Sequence, residues 1–112
     1  MHNLMPKDYL VRPDAYHLID VRSDLEWGAC HDEKAVHVPL TELVEKAADL
    51  PADLPLVLIC RTGGRSLRAC QLMEPSGLQV FNLAGGMRAL VVAQKEKGLI
   101  SEEECAKRLA AL

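Results

Sequence analysis

The chain has 112 residues, of which 49% are apolar and 26% charged, as is usual for one globular domain with a modest hydrophobic core. Its net charge of −3 argues against a surface for nucleic acid or anionic membrane. No apolar run approaches membrane-spanning length, and residues 1–7 contain no secretory apolar segment. We therefore expect a cytoplasmic protein that binds neither nucleic acid nor membrane.

Strand and helix patterns alternate along the chain, which indicates an α/β fold with a parallel sheet. Residues 17–21 and 35–39 predict two strands, and Thr41 is predicted to cap a helix that ends at Ala48. The following predicted elements are a strand over 56–60, a helix over 65–74, a strand over 79–83, a helix from 86 to 97 and a last helix over 101–112.

The apolar strand over 56–60 has no polar interruption, which is typical of a parallel strand covered on both faces. Nothing along the chain reads as a repeat or an interdomain linker. We therefore predict a single domain over residues 1–112, with its core over about 17–97.

Cys60 ends this apolar strand and opens a loop of unusual composition, Cys60-Arg61-Thr62-Gly63-Gly64-Arg65-Ser66. A thiolate is favoured by nearby cations and helix N-termini, and successive amides of a glycine-containing turn form an anion site. A purely structural cysteine would account for the strand but not for the paired glycines and the arginines. The loop therefore predicts a reactive cysteine.

Other polar residues are expected at the same edge of the sheet. Ser66 and Thr62 carry hydroxyls that can donate to the sulfur or to an oxyanion, and Ser66 is also a candidate helix cap. Asp20 and Arg22 follow the first predicted strand, where we expect them to bind loop backbone, with Arg22 paired to Glu26.

We predict structural roles for the remaining cysteines, for the histidines and for the aromatic residues. Cys30, Cys60, Cys70 and Cys105 form no Cys-x-x-Cys pair and no cysteine–histidine zinc pattern. We expect free thiols, no metal and no cofactor. His31 and His37 are interpreted as surface or strand-packing residues, and Tyr16 and Trp27 as core filling.

Several segments resemble those of the rhodanese family, whose members are single-cysteine sulfurtransferases. The loop from Cys60 to Ser66 resembles the family's active-site loop. The segments that resemble its other blocks are Leu18 to Arg22 with Glu26-Trp27, then His31 with Ala35 to Leu40, and Asn82 to Met87. Together they span about residues 17 to 97.

The resemblance implies a three-layer α/β/α fold with a small central parallel sheet flanked by helices. It also implies a sulfur relay, in which a small anionic donor such as thiosulfate loads Cys60 as a persulfide. The acceptor would be cyanide, a thiol or a sulfur-acceptor protein, and the protein a monomer or homodimer. Cys60 would be the catalytic residue, and the substrate-binding residues would be Arg61, Thr62, Gly63, Gly64, Arg65 and Ser66. Of these, Arg65 would stabilise the persulfide and Arg61 would attract the donor.

The chain departs from the family pattern in two places. Where the family commonly has Gly-His-Ile-Pro-Gly-Ala, residues 30–35 are Cys-His-Asp-Glu-Lys-Ala, so that charged residues replace Ile, Pro and the second Gly, which predicts a more exposed loop. Leu90 stands where the family usually has Trp. Cys30 could approach Cys60 and resolve its persulfide or form a disulfide with it.

Two other kinds of protein remain open. Phosphatases and arsenate reductases also place a cysteine and an arginine around an oxyanion, but with Cys-x5-Arg spacing, whereas four residues separate Cys60 from Arg65. A rhodanese-like module that only binds partners typically lacks the cysteine.

Overall fold

The computed structural model describes residues 2–112, which form one five-stranded parallel sheet in the order β1-β5-β4-β2-β3. The strands are β1 (His2–Leu4), β2 (His17–Asp20), β3 (Ala35–His37), β4 (Leu56–Ile59) and β5 (Val80–Leu83). The helices are α1 (Pro6–Tyr9), α2 (Asp24–Ala29), α3 (Leu40–Lys46), α4 (Gly64–Met73), α5 (Gly86–Glu96) and α6 (Glu102–Ala111). Short 3₁₀ turns lie at Pro13–Ala15, Ala47–Asp49 and Glu74–Ser76.

The central strand β4 divides the hydrophobic core in two, because successive side chains of a strand point to opposite faces. Val57 and Ile59 pack on one face with residues of α1, α5 and α6, which we call the α5 face. Leu56, Leu58 and Cys60 pack on the other face with residues of α3 and α4, which we call the α4 face. Helices thus cover both faces of the sheet, and the predicted three-layer α/β/α fold is confirmed.

The structure adds three elements that were not predicted. These are β1, α1 and α2, all of six residues or fewer, so they carry little hydrophobic periodicity. Only α2 has a clear local signal, a capping box in which Ser23 and Glu26 satisfy each other's backbone amides.

The predicted Thr41 cap is wrong, because α3 already begins at Leu40 and Pro39 is its N-cap, without a side-chain hydrogen bond. The last helix does have a side-chain cap, because Ser101 Oγ accepts from the Glu104 amide at 3.0 Å.

Two aromatic predictions have different outcomes. Tyr16 packs against the α5-face core, as expected of a core-filling residue. Trp27 belongs to neither core cluster; it is half-buried and stacks between His31 and His37, at ring distances of 3.7 and 4.8 Å. The core-filling interpretation of Trp27 is therefore wrong.

The altered loop over 30–34 is not uniformly exposed. His31, Glu33 and Lys34 are exposed, as predicted, but Asp32 is buried and accepts a 3.0 Å hydrogen bond from Gln94 Nε2 on α5. Leu90 is fully buried in the α5-face core. Among residues 2–112, no helix is long and apolar enough to cross a membrane.

Candidate active site

Cys60 lies at the carboxyl edge of the sheet, where ligands of open α/β sheets bind. It directly follows β4, and the neighbouring strand β2 ends at Asp20 on the same edge, opposite Ile59. The residue is only 1% exposed, whereas the adjacent Arg61 and Thr62 are exposed. The thiol therefore lies directly beneath the surface of the loop.

The loop turns at Gly63 and places the start of α4 beside the sulfur. Gly63 has φ 105°, a left-handed conformation that favours glycine, and it is the N-cap of α4. Its amide donates to Cys60 Sγ at 3.0 Å. The residue that caps α4 is therefore Gly63 and not Ser66, which the sequence had suggested.

The start of α5 holds the loop from the other side. The Met87 amide donates to the Cys60 carbonyl at 2.8 Å, and the Arg88 amide to the Arg61 carbonyl at 3.2 Å. Gly86, with φ 63°, allows this approach: a Cβ there would stand 2.5 Å from the Cys60 carbonyl oxygen. Gly86 is thus needed both for its backbone conformation and for space.

Hydrogen-bond donors converge on the sulfur of Cys60. Burial raises the pKa of this thiol, but hydrogen bonds from the Ser66 hydroxyl and from the amides of Ser66, Gly63 and Thr62 lower it further than burial raises it. The pKa of Cys60 therefore lies below its ordinary value. Cys70, in the same core cluster, lacks such donors, and burial raises its pKa to about 11.

The Ser66 hydroxyl belongs to a chain of polar contacts that runs from the buried Cys60 to the exposed Asn3. Its oxygen lies 3.3 Å from Cys60 Sγ and 2.5 Å from Asn82 Oδ1, and Asn82 Nδ2 donates to Asn3 Oδ1 at 2.9 Å. Ser66 is 0% and Asn82 5% exposed. Neither Asn82 nor Asn3 was predicted to lie at the site; the available signal was an amide in the otherwise apolar strand β5.

Arg65 is held by a carboxylate from another helix. Its guanidinium makes two hydrogen bonds to Glu26 on α2, the longer of them 2.7 Å. The hydrogen bond from Arg65 holds the pKa of Glu26 down at about 2, and Glu26 raises the pKa of Arg65. The charge of Arg65 also acts on Cys60.

Arg22 does not pair with Glu26, so that expectation is wrong. Its side chain instead makes three contacts of 2.8–3.0 Å with the Asp20 carboxylate and donates to the Cys30 carbonyl at 2.6 Å. Asp20 and Arg22 are 0% and 1% exposed. The pair braces the sheet edge beside the candidate nucleophile.

Cys30 lies away from Cys60, because it packs against the α5-face core while Cys60 belongs to the α4-face core. The sheet separates the two thiols, and the predicted approach is contradicted. All four cysteines are free. Within residues 2–112, no group of three or more His, Cys, Asp or Glu side chains is placed to hold a metal ion.

Comparison with known proteins agrees with this fold and identifies a family. Residues 5–93 match the family described as "Rhodanese-like domain". The chain is 35% identical over 83 residues to a putative sulfurtransferase, YtwF, of Bacillus subtilis. This alignment covers 74% of this chain and 81% of that protein. The chain is also 32% identical over 73 residues to a sulfurtransferase of Allochromatium vinosum, covering 64% of this chain and 68% of that protein.

A solved structure shows the same architecture. The rhodanese-related protein from Thermoplasma volcanium superposes with a TM-score of 0.77 at 26% identity, over 82% of this chain and 92% of its own. The family match begins earlier than the resemblance seen in the sequence, since it includes α1, and it ends within α5. On the strength of this match over most of its length, the chain belongs to the rhodanese-like domain family.

Proposed function

We propose that this protein is a thiosulfate sulfurtransferase that moves a sulfane sulfur through a persulfide on Cys60. The relatives named above support sulfur transfer as the general reaction. The donor, the persulfide and the acceptor are the parts that the proposal adds. The acceptor is cyanide in an assay and a thiol or a sulfur-acceptor protein in the cell, and a cytoplasmic location stays a prediction from the sequence.

The first step begins with the Cys60 thiolate, which attacks the outer sulfur of thiosulfate. A bond forms between Sγ and that sulfur, the S–S bond of thiosulfate breaks, and sulfite leaves with the electron pair. In the second step cyanide attacks the outer persulfide sulfur, thiocyanate leaves, and the Cys60 thiolate is regenerated. Dividing the transfer into two displacements is the usual benefit of covalent catalysis.

The set of donors around Cys60 Sγ is the observation that carries the proposal. Amides of the loop and the Ser66 hydroxyl favour the thiolate despite its burial. The same donors are placed to stabilise the negative charge that develops on a persulfide in this loop.

The two arginines of the loop support different parts of this chemistry. Arg61 is exposed beside the thiol, so it is suited to attracting a doubly charged donor. Arg65 acts on Cys60 through its charge, but Glu26 holds its guanidinium. We therefore assign Arg65 to electrostatic support of the thiolate, with Glu26 setting its position.

The phosphatase or arsenate-reductase alternative is less well supported by this arrangement. A phosphoryl group has three non-bridging oxygens that need donors. Here the Gly63 amide and the Ser66 hydroxyl both lie within 3.3 Å of a single sulfur, and Arg65 is already paired. The loop therefore suits one sulfur atom better than a tetrahedral oxyanion.

Intact mass spectrometry of the protein after thiosulfate treatment tests the proposal directly. We expect a gain equal to one sulfur atom that cyanide removes with release of thiocyanate. Cys60→Ser should take up no sulfur while remaining folded, because a serine hydroxyl is not ionised at neutral pH. Cys70→Ser is the matched control and should behave like the native protein, since the pKa of Cys70 is about 11.

Three outcomes would contradict the proposal. Sulfur uptake by folded Cys60→Ser would remove Cys60 from the mechanism. No uptake by native protein from any sulfane donor would favour the binding-module alternative. Hydrolysis of aryl phosphates that depends on Cys60 would favour the phosphatase.

A further inference from the structure

The Ser66 hydroxyl has one proton and three acceptors within reach. Its oxygen lies 3.3 Å from Cys60 Sγ, 3.3 Å from the Gly63 carbonyl and 2.5 Å from Asn82 Oδ1. The contact with Asn82 is much the shortest, and a hydroxyl donates one hydrogen bond at a time. While Cys60 is in its thiol form, the proton is therefore directed to Asn82 and not to the sulfur.

The orientation of the Asn82 amide is set from the N-terminal strand. Asn3 on β1 lies opposite Asn82 on β5, and Asn3 Oδ1 accepts from Asn82 Nδ2 at 2.9 Å. Because the amide nitrogen faces Asn3, the amide oxygen faces Ser66. The contact with Asn3, 79 positions away in the sequence, thus determines that Ser66 faces the amide oxygen of Asn82 and not its nitrogen.

We propose that Asn82 is a positioning residue that controls the ionisation of Cys60 by holding the Ser66 proton. In the thiol form, Sγ–H donates to Ser66 Oγ, and Ser66 donates to Asn82 Oδ1. When the thiol ionises, its proton leaves to solvent, the Ser66 hydroxyl rotates to donate to the thiolate, and the bond to Asn82 is lost. Asn82 thereby favours the thiol form of Cys60, whereas Ser66 favours the thiolate. The two residues therefore have opposite effects on the pKa of Cys60.

Charged groups around Cys60 also influence its ionisation and must stay constant in a test. They are Arg65 on α4 with its partner Glu26 on α2, the Asp20–Arg22 pair after β2, and the exposed Arg61 and Arg88 on the loop and α5. Within residues 2–112 the Asn82 side chain hydrogen-bonds to Ser66 and Asn3, and none of these charged groups is among its partners. Substitution of Asn82 therefore isolates the effect transmitted through Ser66.

The test is the pH dependence of alkylation by iodoacetamide, followed on the peptide that contains Cys60. In Asn82→Ala the midpoint should fall by about one pH unit, because Ser66 is then free to donate to the thiolate. In Ser66→Ala the midpoint should rise by a similar amount. Adding Asn82→Ala to Ser66→Ala should change nothing further, since the transmitting hydroxyl is absent.

A merely structural role for Asn82 gives a different pattern. An equal shift in both backgrounds, or no shift in folded Asn82→Ala, would overturn the proposal. If Asn82→Ala does not fold, Asn82→Asp provides the test, because this variant keeps the acceptor for the Ser66 hydroxyl and adds negative charge. The pH midpoint of Cys60 alkylation should then rise. A fall in that midpoint would refute the proposal.

The inference rests on the proposed function only in that the thiolate is the attacking species. Alkylation requires no sulfur donor, so the two proposals fail separately. A protein that takes up no sulfur but shows the predicted dependence on Ser66 would refute the sulfurtransferase and retain the role of Asn82.

Discussion

At the scale of single residues, local donors and not burial distinguish the pKa of Cys60 from that of Cys70. Cys60 and Cys70 are 1% and 2% exposed and share one core cluster. Burial raises the pKa of both thiols, and only Cys60 has hydroxyl and amide donors that reverse the effect. A buried cysteine is thus reactive when the backbone turns its amides toward it.

The two loop glycines should respond differently to substitution. Gly63→Ala places a side chain at φ 105° and 3.3 Å from the Gly85 amide, so we expect a loss of about 1–3 kcal/mol of unfolding free energy and of sulfurtransfer. Gly64→Ala is the matched control: its Cβ meets nothing within 4 Å, and it begins a helix, where alanine is preferred to glycine. Urea unfolding and the thiosulfate–cyanide assay on both variants check this. Equal damage by both would show that the conformation of Gly63 is not the cause.

At the scale of elements, Glu26 joins two helices at the candidate site. Its carboxylate completes the capping box of α2 with Ser23 and also binds Arg65 of α4. One carboxylate therefore determines both the start of α2 and the position of the loop arginine.

Glu26 predicts a specific dependence of stability on pH. Arg65 lowers the pKa of Glu26 in the folded protein from the ordinary 4.5 to about 2, so its contribution is present above pH 4.5 and is lost as the pH falls toward 2. Urea unfolding should show Glu26→Gln to be less stable than the native protein near pH 7, by about 1 kcal/mol because the pair is partly exposed. The difference should vanish near pH 2.

Glu42→Gln is the control for this experiment, because Glu42 forms an exposed pair with Lys46 within α3. It should change the unfolding free energy by less than about 0.5 kcal/mol. A Glu26→Gln difference that is independent of pH would show that the variant acts through packing and not through charge.

At the scale of the whole molecule, the candidate nucleophile and the C-terminal helix pack on opposite faces of the sheet. The α4 face carries Cys60 and the helix that follows it, while α6 packs on the α5 face through Cys105, Leu109 and Leu112. The helix α6 lies beyond residue 93, where the family match ends, and packs on the face away from the thiol.

Deletion of residues 101–112 should therefore reduce stability and spare the chemistry. Loss of these apolar contacts should cost about 3 kcal/mol of unfolding free energy. The pH midpoint of Cys60 alkylation should stay unchanged at temperatures where the protein is folded. Lys107→Ala, at an exposed position of the same helix, should leave both quantities unchanged. A shifted midpoint in the truncated protein would show that the two faces are coupled.

The sequence by itself determined the features that lie in contiguous residues. The loop from Cys60 to Ser66 can be identified because strand, nucleophile, glycine turn and helix follow one another without interruption. The parallel α/β fold could also be predicted, since β4 is apolar throughout and the longer helices are periodic. The short elements β1, α1 and α2 could not, because they contain too few residues for periodicity.

Only the tertiary structure decided how distant residues share their charges and protons. Arg65 meets Glu26 across 39 positions, Ser66 meets Asn82 across 16, and Asn82 meets Asn3 across 79. These partners are set by the strand order β1-β5-β4-β2-β3, which places β5 between β4 and the N-terminal strand. The structure also decided that Cys30 and Cys60 pack with different core clusters. Strand order depends on the packing of all layers together, so a single sequence indicates the candidate nucleophile but not the distant residues that surround it.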